Sequence, residues 1–247
     1  MVMMVQPSDI PVVILAGGMG TRLGEYTEKI PKPMVQIGGL PIIVHIIGLW
    51  YKAGHRKFSI AGGYKFHEMC EYFACRDWSF DFPGIQIDVH DTGLETATAG
   101  RIRLIPNLLN KYEVFGLSYG DGLTDYPLEN LSKLFYNHNA GVMMLVTHPI
   151  SKFGEVIMDK LGKRVVGFSE KPLEDKWINA GFFMVDSGTF DRFADTEDSF
   201  EIQVLPRIVE WGKVIAEKNY GFWHCMDTPK DVSELEELWK GGKAPWL

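Results

Sequence analysis

A glycine-rich segment near the start of the chain, followed by two cations, carries the first chemical signal. Gly17-Gly18-Met19-Gly20 comes directly after an apolar run over residues 11–16, and glycine lets backbone N–H groups approach and face an anion. Arg22 and Lys32 add two positive charges, and the prolines that flank Lys32 restrict where its ammonium group points. We interpret this segment as a polyphosphate cradle; the alternative is a tight turn with two solvated cations.

The spacing of these glycines excludes two common phosphate-binding loops. The dinucleotide fingerprint G-x-G-x-x-G fails because Gly18 and Gly20 are followed by Gly24, one position too late. The P-loop ending G-K-[ST] is absent from the chain. The sequence therefore indicates a phosphate-binding loop of another type.

The elements that must position this loop alternate between apolar β runs and helical stretches. Predicted strands cover residues 11–16, 58–61, 85–89, 114–118 and 142–147, and predicted helices cover 42–50, 65–73, 101–110 and 128–138. This alternation predicts an α/β fold, a Rossmann-like and mostly parallel sheet flanked by helices. Short predicted strands at 155–158, 164–168 and 181–185 indicate a small antiparallel extension on the edge of the main sheet, and an amphipathic helix at 231–239 closes the chain.

Length, composition and charge bound the class of protein. With 247 residues, 46% of them hydrophobic, the chain can bury the core of one sizeable α/β domain. A net charge of -7 argues against a nucleic-acid partner, because phosphate backbones are bound by basic surfaces. No apolar run approaches the roughly 20 residues of a membrane span, and the first residues lack a basic flank, so we expect neither a membrane partner nor a signal peptide.

The three cysteines indicate the redox environment. Cys70, Cys75 and Cys225 are odd in number and show no disulfide pattern, which predicts a cytoplasmic protein. His67 together with Cys70 and Cys75 invites a metal interpretation, but a structural zinc site needs a fourth ligand and tighter spacing. We therefore interpret these residues as part of the core.

Motifs in a fixed order resemble those of the sugar-phosphate nucleotidyltransferase family. Residues 13–23 with Pro31-Lys32-Pro33-Met34 resemble the signature of that family. Later motifs follow in its order: Asp91-Thr92-Gly93, Thr98-Ala99-Gly100-Arg101, Tyr119-Gly120-Asp121-Gly122, Phe153-Gly154, Glu170-Lys171-Pro172, Ile178-Asn179-Ala180-Gly181 and Met226-Asp227-Thr228. This order, and the tryptophan-rich tail, resemble the glucose-1-phosphate cytidylyltransferase subgroup.

The resemblance implies a reaction and a domain arrangement. CTP would be coupled to a phosphorylated small molecule, with glucose 1-phosphate favoured, to give a CDP-linked product and pyrophosphate. An oxygen of the acceptor phosphate would attack the α-phosphorus in line, and since that oxygen is already ionised no general base is required. We expect a leader over residues 1–10 and a single nucleotidyltransferase domain over residues 11–247.

The resemblance also assigns roles to individual residues. Arg22, Lys32 and Asp121 would be catalytic, and Mg²⁺ would be held by Asp121 and Asp227, as suits a hard cation. The acceptor would be bound by Glu170, Lys171 and Asn179. The nucleotide would be bound by Leu15, Ala16, Gly17, Gly18, Met19, Gly20, Thr21, Arg22, Thr96, Arg101 and Gly120. Asp121 as a turn cap and Asp227 as a helix cap are the alternatives.

Two departures from the family pattern keep other functions open. The stretch between Phe73 and Asp91 is short, and Ala99 and Ala180 each stand where a glycine is usual, with the Ala180 methyl group expected beside the acceptor pocket. A non-glucose phosphate or phosphonate is therefore an alternative acceptor, and a catalytically silent nucleotide-sugar-binding regulator is a second alternative. Exposed aromatic residues at Trp78, Phe80 and Phe82 predict a homo-oligomer.

Overall fold

A computed structural model describes residues 5–151 and 153–247. The strands are β1 (Pro11–Ala16), β2 (Gln36–Ile37), β3 (Leu40–Pro41), β4 (Lys57–Gly62), β5 (Gln86–Asp91), β6 (Val114–Tyr119), β7 (Gly122–Thr124), β8 (Val142–Thr147), β9 (Glu155–Met158), β10 (Val165–Ser169), β11 (Ile178–Asp186), β12 (Val214–Asn219) and β13 (Trp223–Cys225). The helices are α1 (Glu25–Lys29), α2 (Ile42–Lys52), α3 (Phe66–Ala74), α4 (Thr98–Arg103), α5 (Leu108–Lys111), α6 (Glu129–His138), α7 (Ser187–Phe193), α8 (Leu205–Glu210) and α9 (Pro229–Lys240).

The main sheet has seven strands in the order β12-β8-β11-β6-β1-β4-β5. β1 pairs in parallel with β4 and β6, β4 with β5, and β8 with β12. Only β11 is antiparallel to its neighbours β6 and β8. The predicted fold, a mostly parallel sheet flanked by helices, is confirmed.

Two hydrophobic clusters lie on opposite faces of this sheet. Val12 and Ile14 of β1 point into a cluster built with α2, α6 and α9. Val13, between them, points into a second cluster built with α4, α7 and α8. Successive side chains of a strand face opposite sides, so an apolar run with no alternation is what a strand covered on both faces requires.

The predicted small antiparallel extension is present, but its position and its strands differ from the prediction. β9 and β10 pair only with each other, in a separate two-stranded sheet, whereas β11 lies inside the main sheet rather than on its edge. Parallel neighbours need a crossover connection, usually a helix. The chain between β8 and β11 forms the β9–β10 hairpin instead of a crossover helix. It therefore re-enters the sheet at the end where β8 finishes, and β11 runs antiparallel to β8.

The helix predicted over residues 101–110 is two short helices, α4 and α5. Pro106 lies between them, and a proline inside a helix removes a hydrogen bond and clashes with the preceding turn. Asn107 follows in the left-handed region, with φ of 59°. The prediction was therefore wrong about continuity, and α4 begins three residues earlier than expected.

Three aromatic residues expected on the surface occupy different environments. Trp78 is buried, and its indole N–H donates to the carbonyl of Phe73 at 3.0 Å. Phe82 is half-buried, and only Phe80, 90% exposed, fits the expectation. The exposure prediction was therefore wrong for Trp78, because its indole packs beside the end of α3.

The assignment of His67 and Cys75 to the core was also wrong. Both are exposed, and Cys70 is half-buried. The face of α3 that packs inward carries Met69 and Phe73, one helical turn apart. Among the described residues, His67, Cys70 and Cys75 form no group with metal-ligand spacing.

The beginning of the chain is described from residue 5, so residues 1–4 of the expected leader lie outside the described residues. Pro7–Asp9 forms a 3₁₀ turn, and Asp9 pairs with Lys57 at 3.2 Å. Ile10 is buried, and its carbonyl accepts a hydrogen bond from His55. No helix among the described residues is both long and apolar enough to cross a membrane.

The last residues of the chain complete the core. α9 packs against β2, and Trp246 is buried with its indole N–H donating to Nδ1 of His45 at 3.3 Å. Trp239 lies against Gly38, where a Cβ atom would be 2.1 Å from the indole ring. The tryptophan-rich tail therefore has a packing role on the face of the sheet that carries α2.

We expect His55 to make the folded state sensitive to acid. His55 is fully buried, and burial lowers its pKa to about 4 from an ordinary 6.5. Between these values the unfolded chain binds a proton that the folded protein does not, so the free energy of unfolding falls as pH drops from about 6.5 to about 4, by about 3 kcal/mol. Urea unfolding at pH 7 and pH 4 measures this loss.

A His55→Gln variant isolates this contribution. His45 and His90 also have pKa values lowered by burial, so the wild-type protein alone does not separate the three histidines. The difference between wild type and variant should shrink or reverse as pH falls. An unfolding free energy with the same pH dependence in both proteins would contradict the prediction.

Candidate active site

A cavity of about 580 Å³ opens at the carboxyl ends of β1 and β6. The carboxyl ends of parallel strands meet at one edge of a sheet, which is where ligands bind in open α/β folds. Its lining residues include most of the residues predicted to bind the nucleotide: Leu15, Ala16, Gly17, Gly18, Gly20, Arg22, Thr96, Arg101 and Gly120. Met19 and Thr21 belong to the same loop but do not line the cavity.

Two glycines of the loop after β1 lie in close contact with side chains of other segments. Gly20 has φ of 63°, and a Cβ atom there would be 2.6 Å from Cβ of Lys32. Gly17 meets the guanidinium group of Arg101, which would be 2.0 Å from a Cβ atom. Glycine is therefore required at both positions.

Lys32 joins the two carboxylates that the sequence singled out. Its ammonium nitrogen lies 2.6 Å from Oδ2 of Asp121 and 2.5 Å from Oδ1 of Asp227. Burial alone would lower the pKa of Lys32, but the two carboxylates outweigh it and raise the pKa above its usual value. The lysine therefore remains a cation and forms ion pairs with both aspartates.

Pairing of β7 with β13 brings Asp121 and Asp227 together. Gly122 is the register partner of Cys225, and the amide of Met226 donates to the carbonyl of Asp121 at 2.8 Å. Asp121 directly precedes Gly122, and Asp227 directly follows Met226. This pairing brings together residues far apart in the chain, since the Lys32–Asp227 contact spans 195 residues of sequence. The short antiparallel pair thus assembles the acidic end of the site.

Asp227 does not cap the helix that follows it. The cap of α9 is Thr228, whose side chain exchanges hydrogen bonds with Asp231 in a capping box. The carboxylate of Asp227 instead contacts Lys32 and, at 2.8 Å, Nη1 of Arg22. Its neighbour supplies the cap, so Asp227 remains available to the site.

The acidic pair also fits a divalent cation. One oxygen each from Asp121 and Asp227 and the sulfur of Cys225 lie within 4.8 Å of one another. Burial and the neighbouring Asp121 raise the pKa of the Cys225 thiol, so the two carboxylates supply the negative charge. The ammonium group of Lys32 between them marks a position that suits a positive charge.

Arg101 braces the loops around the cavity. Its Nη1 donates to the carbonyls of Gly62 (3.2 Å) and Gly93 (2.7 Å) and to Oγ1 of Thr92 (2.7 Å). Its Nη2 donates to the carbonyls of Leu94 (2.9 Å) and Gly17 (3.4 Å). These five acceptors already engage both terminal nitrogens of Arg101. A direct contact between Arg101 and the nucleotide stays a prediction.

Replacing Arg101 by methionine should destabilise the fold. The change leaves several buried acceptors without a donor, and we expect a loss of about 3 kcal/mol in the free energy of unfolding. Urea unfolding measures the loss, and the exposed Arg192 on α7 supplies the control, since Arg192→Met should change stability by less than about 0.5 kcal/mol. Unchanged stability together with weakened CTP binding would mean that Arg101 contacts the nucleotide rather than bracing the loops.

None of the three residues predicted to bind the acceptor lines the cavity. Asn179, the second residue of β11, is linked to it through Tyr119, because its Nδ2 donates to the Tyr119 hydroxyl at 2.9 Å. Glu170 and Lys171 follow β10, are exposed, and do not line the cavity. Lys171 has φ of 46°, in the left-handed region. Their acceptor roles stay predictions.

The two alanines that replace family glycines do not narrow the cavity. Ala180 is 1% exposed, and its side chain belongs to the hydrophobic cluster that includes α2. Ala99 is fully buried in the cluster on the other face of the sheet. The expectation that the Ala180 methyl group lies beside an open acceptor pocket was therefore wrong, because alternation along β11 directs it into the core.

Four polar residues that line the cavity were given no role in the sequence analysis. These residues are Thr98, Tyr119, Ser199 and Glu201. Ser199 precedes a π-helical turn at Phe200–Val204, and Glu201 lies within it. A polar Ser-Phe-Glu stretch before an apolar segment resembles an ordinary helix start, so no local signal distinguished it. Turns of this kind occur often at functional sites.

Residues 11–242 match the family described as Nucleotidyl transferase. The chain belongs to this family. Members generally use a divalent metal ion, which agrees with the paired carboxylates. The glucose-1-phosphate cytidylyltransferase of Salmonella typhimurium is 35% identical, over 95% of this chain and 97% of that protein.

Two further relatives show how far the likeness extends. The catalytic subunit beta of the mannose-1-phosphate guanylyltransferase of Danio rerio is 30% identical over 89% of this chain, but only 61% of that protein is covered. The crystal structure of HddC from Yersinia pseudotuberculosis has a TM-score of 0.69 at 22% identity, with 93% of this chain and 99% of that chain covered. This structural likeness confirms the fold.

Proposed function

We propose that this nucleotidyltransferase transfers a cytidylyl group from CTP to glucose 1-phosphate, giving CDP-glucose and pyrophosphate. The observation that carries the proposal is the similarity to the Salmonella typhimurium enzyme, which extends over nearly the whole of both chains. The guanylyltransferase relative is covered only in part. The convergence of Lys32, Asp121 and Asp227 supports a catalyst rather than a silent binding protein.

The reaction would be an in-line displacement at the α-phosphorus. An oxygen of the acceptor phosphate forms a bond to this phosphorus, and the bond to the bridging oxygen of pyrophosphate breaks. Both reactants are anions, so alignment and charge neutralisation supply most of the catalysis. Lys32 and Arg22 stabilise charge on the α-phosphate and on the leaving group, and the glycine loop offers backbone donors to the phosphates.

We propose Mg²⁺ as the divalent cation and Asp121 and Asp227 as its ligands. When bound, the ion would supply positive charge that neutralises the charge developing on the phosphates during transfer. Because Lys32 pairs with the same two carboxylates, its ammonium group and the cation would compete for them. Lys32 would therefore pair with the two carboxylates in the absence of the cation and bind phosphate in its presence.

The remaining parts of the proposal concern the assembly and its setting. We propose that residues 11–247 act as one domain, that the protein forms a homo-oligomer, and that the reaction takes place in the cytoplasm. Phe80 and the exposed apolar side chains of β9 and β10 support self-association, and light scattering in solution measures the molar mass. The net charge of -7 supports small-molecule substrates rather than nucleic acid.

A substrate panel tests the function. CTP, UTP, GTP, ATP and dTTP are each combined with Mg²⁺ and glucose 1-phosphate, and pyrophosphate release and product mass are measured. CTP with glucose 1-phosphate should give the highest kcat/KM. A second series holds CTP constant and varies the phosphorylated or phosphonate acceptor. Turnover with another acceptor and none with glucose 1-phosphate would overturn the assignment.

A further inference from the structure

Glu201 is a carboxylate at the cavity wall that has no part in the transfer described above. It lies in the π-helical turn Phe200–Val204 and accepts three side-chain hydrogen bonds. Its Oε1 accepts from the hydroxyl of Tyr119 at 2.7 Å, and its Oε2 accepts from Thr98 at 2.6 Å and from Ser199 at 2.9 Å. Three donors on one carboxylate hold it in a fixed orientation.

The Tyr119 hydroxyl is also hydrogen-bonded to Asn179. The Tyr119 oxygen accepts a hydrogen bond from Nδ2 of Asn179 at 2.9 Å. On the other side of the amide, Oδ1 of Asn179 accepts from the backbone N–H of Gly181 at 2.7 Å. Glu201, Tyr119 and Asn179 therefore form a hydrogen-bonded chain from the cavity wall to the start of β11.

The Glu201 carboxylate and the Gly181 N–H group together determine the direction of the bonds in this chain. An ionised carboxylate only accepts hydrogen bonds, so the Tyr119 hydroxyl must donate its single proton to Glu201. The tyrosine oxygen is then an acceptor toward Asn179, which fixes the amide with Nδ2 facing Tyr119. Burial, with Glu201 alongside, raises the pKa of Tyr119, so the hydroxyl keeps the proton that it donates.

The amide of Asn179 consequently has one donor left over. Nδ2 carries two hydrogens, of which Tyr119 takes one, and within residues 5–151 and 153–247 the second has no hydrogen-bond acceptor. Oδ1 is occupied by Gly181. The residue expected to contact the acceptor therefore offers an N–H donor, while one lone pair of its Oδ1 is engaged by Gly181.

We propose that Glu201 is a positioning residue for the phosphorylated acceptor. It acts through Tyr119 and makes Asn179 present an N–H group to an oxygen of the sugar phosphate. The inference rests on the proposed function, because it takes the acceptor to bind at Asn179. Glu201 itself does not contact the reacting atoms, so its loss should weaken acceptor binding more than it slows transfer.

The proposal is tested with Glu201→Gln and Tyr119→Phe. Glutamine keeps the size of the side chain but can present an NH₂ group to Tyr119, and phenylalanine removes the link to Asn179. We expect each variant to raise KM for glucose 1-phosphate by about tenfold while KM for CTP and kcat change by less than about twofold. The double variant should be no worse than either single one, because the same chain is broken once.

The protein contains a matched control pair outside the cavity. The hydroxyl of Tyr126 donates to Oε1 of Glu217 at 3.1 Å, which repeats the tyrosine–glutamate contact away from the cavity-lining residues. Glu217→Gln and Tyr126→Phe should leave both KM values unchanged. These variants also report how much stability such a pair contributes, so thermal unfolding of all four proteins separates positioning from folding.

Each outcome decides between the alternatives. Unchanged KM for glucose 1-phosphate, an equal rise in both KM values, or effects that multiply in the double variant would overturn the positioning role. If Glu201→Gln does not fold, Tyr119→Phe, which keeps Glu201 and its bonds to Thr98 and Ser199, carries the same test. Wild-type protein that turns over CTP but not glucose 1-phosphate would instead contradict the proposed function and leave the hydrogen-bonded chain to be tested with the acceptor that it does use.

Discussion

Replacing Lys32 by methionine is expected to lower kcat by about 10²–10³-fold, the cost of removing one donor aimed at developing charge. Lys32 carries the buried ammonium group nearest both carboxylates of the site, at 2.6 Å from Asp121 and 2.5 Å from Asp227. Methionine has a similar length and no charge, so the cavity keeps its shape. Pyrophosphate release at saturating CTP and glucose 1-phosphate measures the loss.

The same variant should bind the divalent cation more tightly. In the wild-type protein the ammonium group competes for Asp121 and Asp227, and without it the two carboxylates repel each other until a cation binds. Added Mg²⁺ should therefore raise the melting temperature of the variant more than that of the wild type, since a ligand that binds only the folded state stabilises it. This readout does not depend on turnover.

Lys29 supplies the matched control for this prediction. It is exposed near the end of α1, close in sequence to Lys32 and outside the cavity lining. Lys29→Met should leave kcat and the effect of Mg²⁺ on melting unchanged. Equal kcat in wild type and Lys32→Met would show that Lys32 only holds the two aspartates together.

Replacing Asp121 by asparagine should have an effect of similar size. The change keeps the shape of the side chain but removes one of the two charges that would hold the metal ion, and metal-ion charge stabilisation contributes several kcal/mol. We expect kcat to fall by about 10²–10³-fold. Raising the Mg²⁺ concentration should recover only part of the loss, because Asp227 alone remains as a charged ligand.

The control for this variant is Asp88→Asn, an exposed position on the edge strand β5. It should leave both kcat and the Mg²⁺ requirement unchanged. Turnover of Asp121→Asn equal to that of the wild type at saturating Mg²⁺ would defeat the assignment of Asp121 as a metal ligand. Loss of turnover with an unchanged Mg²⁺ affinity would assign Asp121 to holding Lys32 instead.

Local patterns in the sequence were sufficient for the loop after β1, for six of the seven strands of the main sheet and for the class of fold, whereas β12 was not predicted. The apolar run at Pro11–Ala16 predicted a strand covered on both faces, and the structure places Val13 on one face and Val12 and Ile14 on the other. The glycines after this strand predicted a loop that lines a cavity. These features depend on neighbouring residues and on backbone freedom, which the order of residues records directly.

Long-range pairing decided features that no local pattern contains. The antiparallel β11 lies inside the sheet because the β9–β10 hairpin replaces a crossover helix. Asp121 and Asp227 share one lysine because β7 pairs with β13 in one register. Hydrophobic periodicity indicates which residues become strands, but it does not say which strands become neighbours.

The glycine loop and its two cations show which features the local sequence predicts and which features depend on the tertiary structure. By itself, the sequence determined that Gly17 to Gly20, Arg22 and Lys32 bring backbone N–H groups and two cations into one short segment, and from this it predicted an anion-binding site. Only the tertiary structure decided that Lys32 is held by two distant aspartates and that hydrogen bonds link Glu201, Tyr119 and Asn179. Both depend on side chains separated by 60 to 195 residues, whose distances are set by packing of the whole chain.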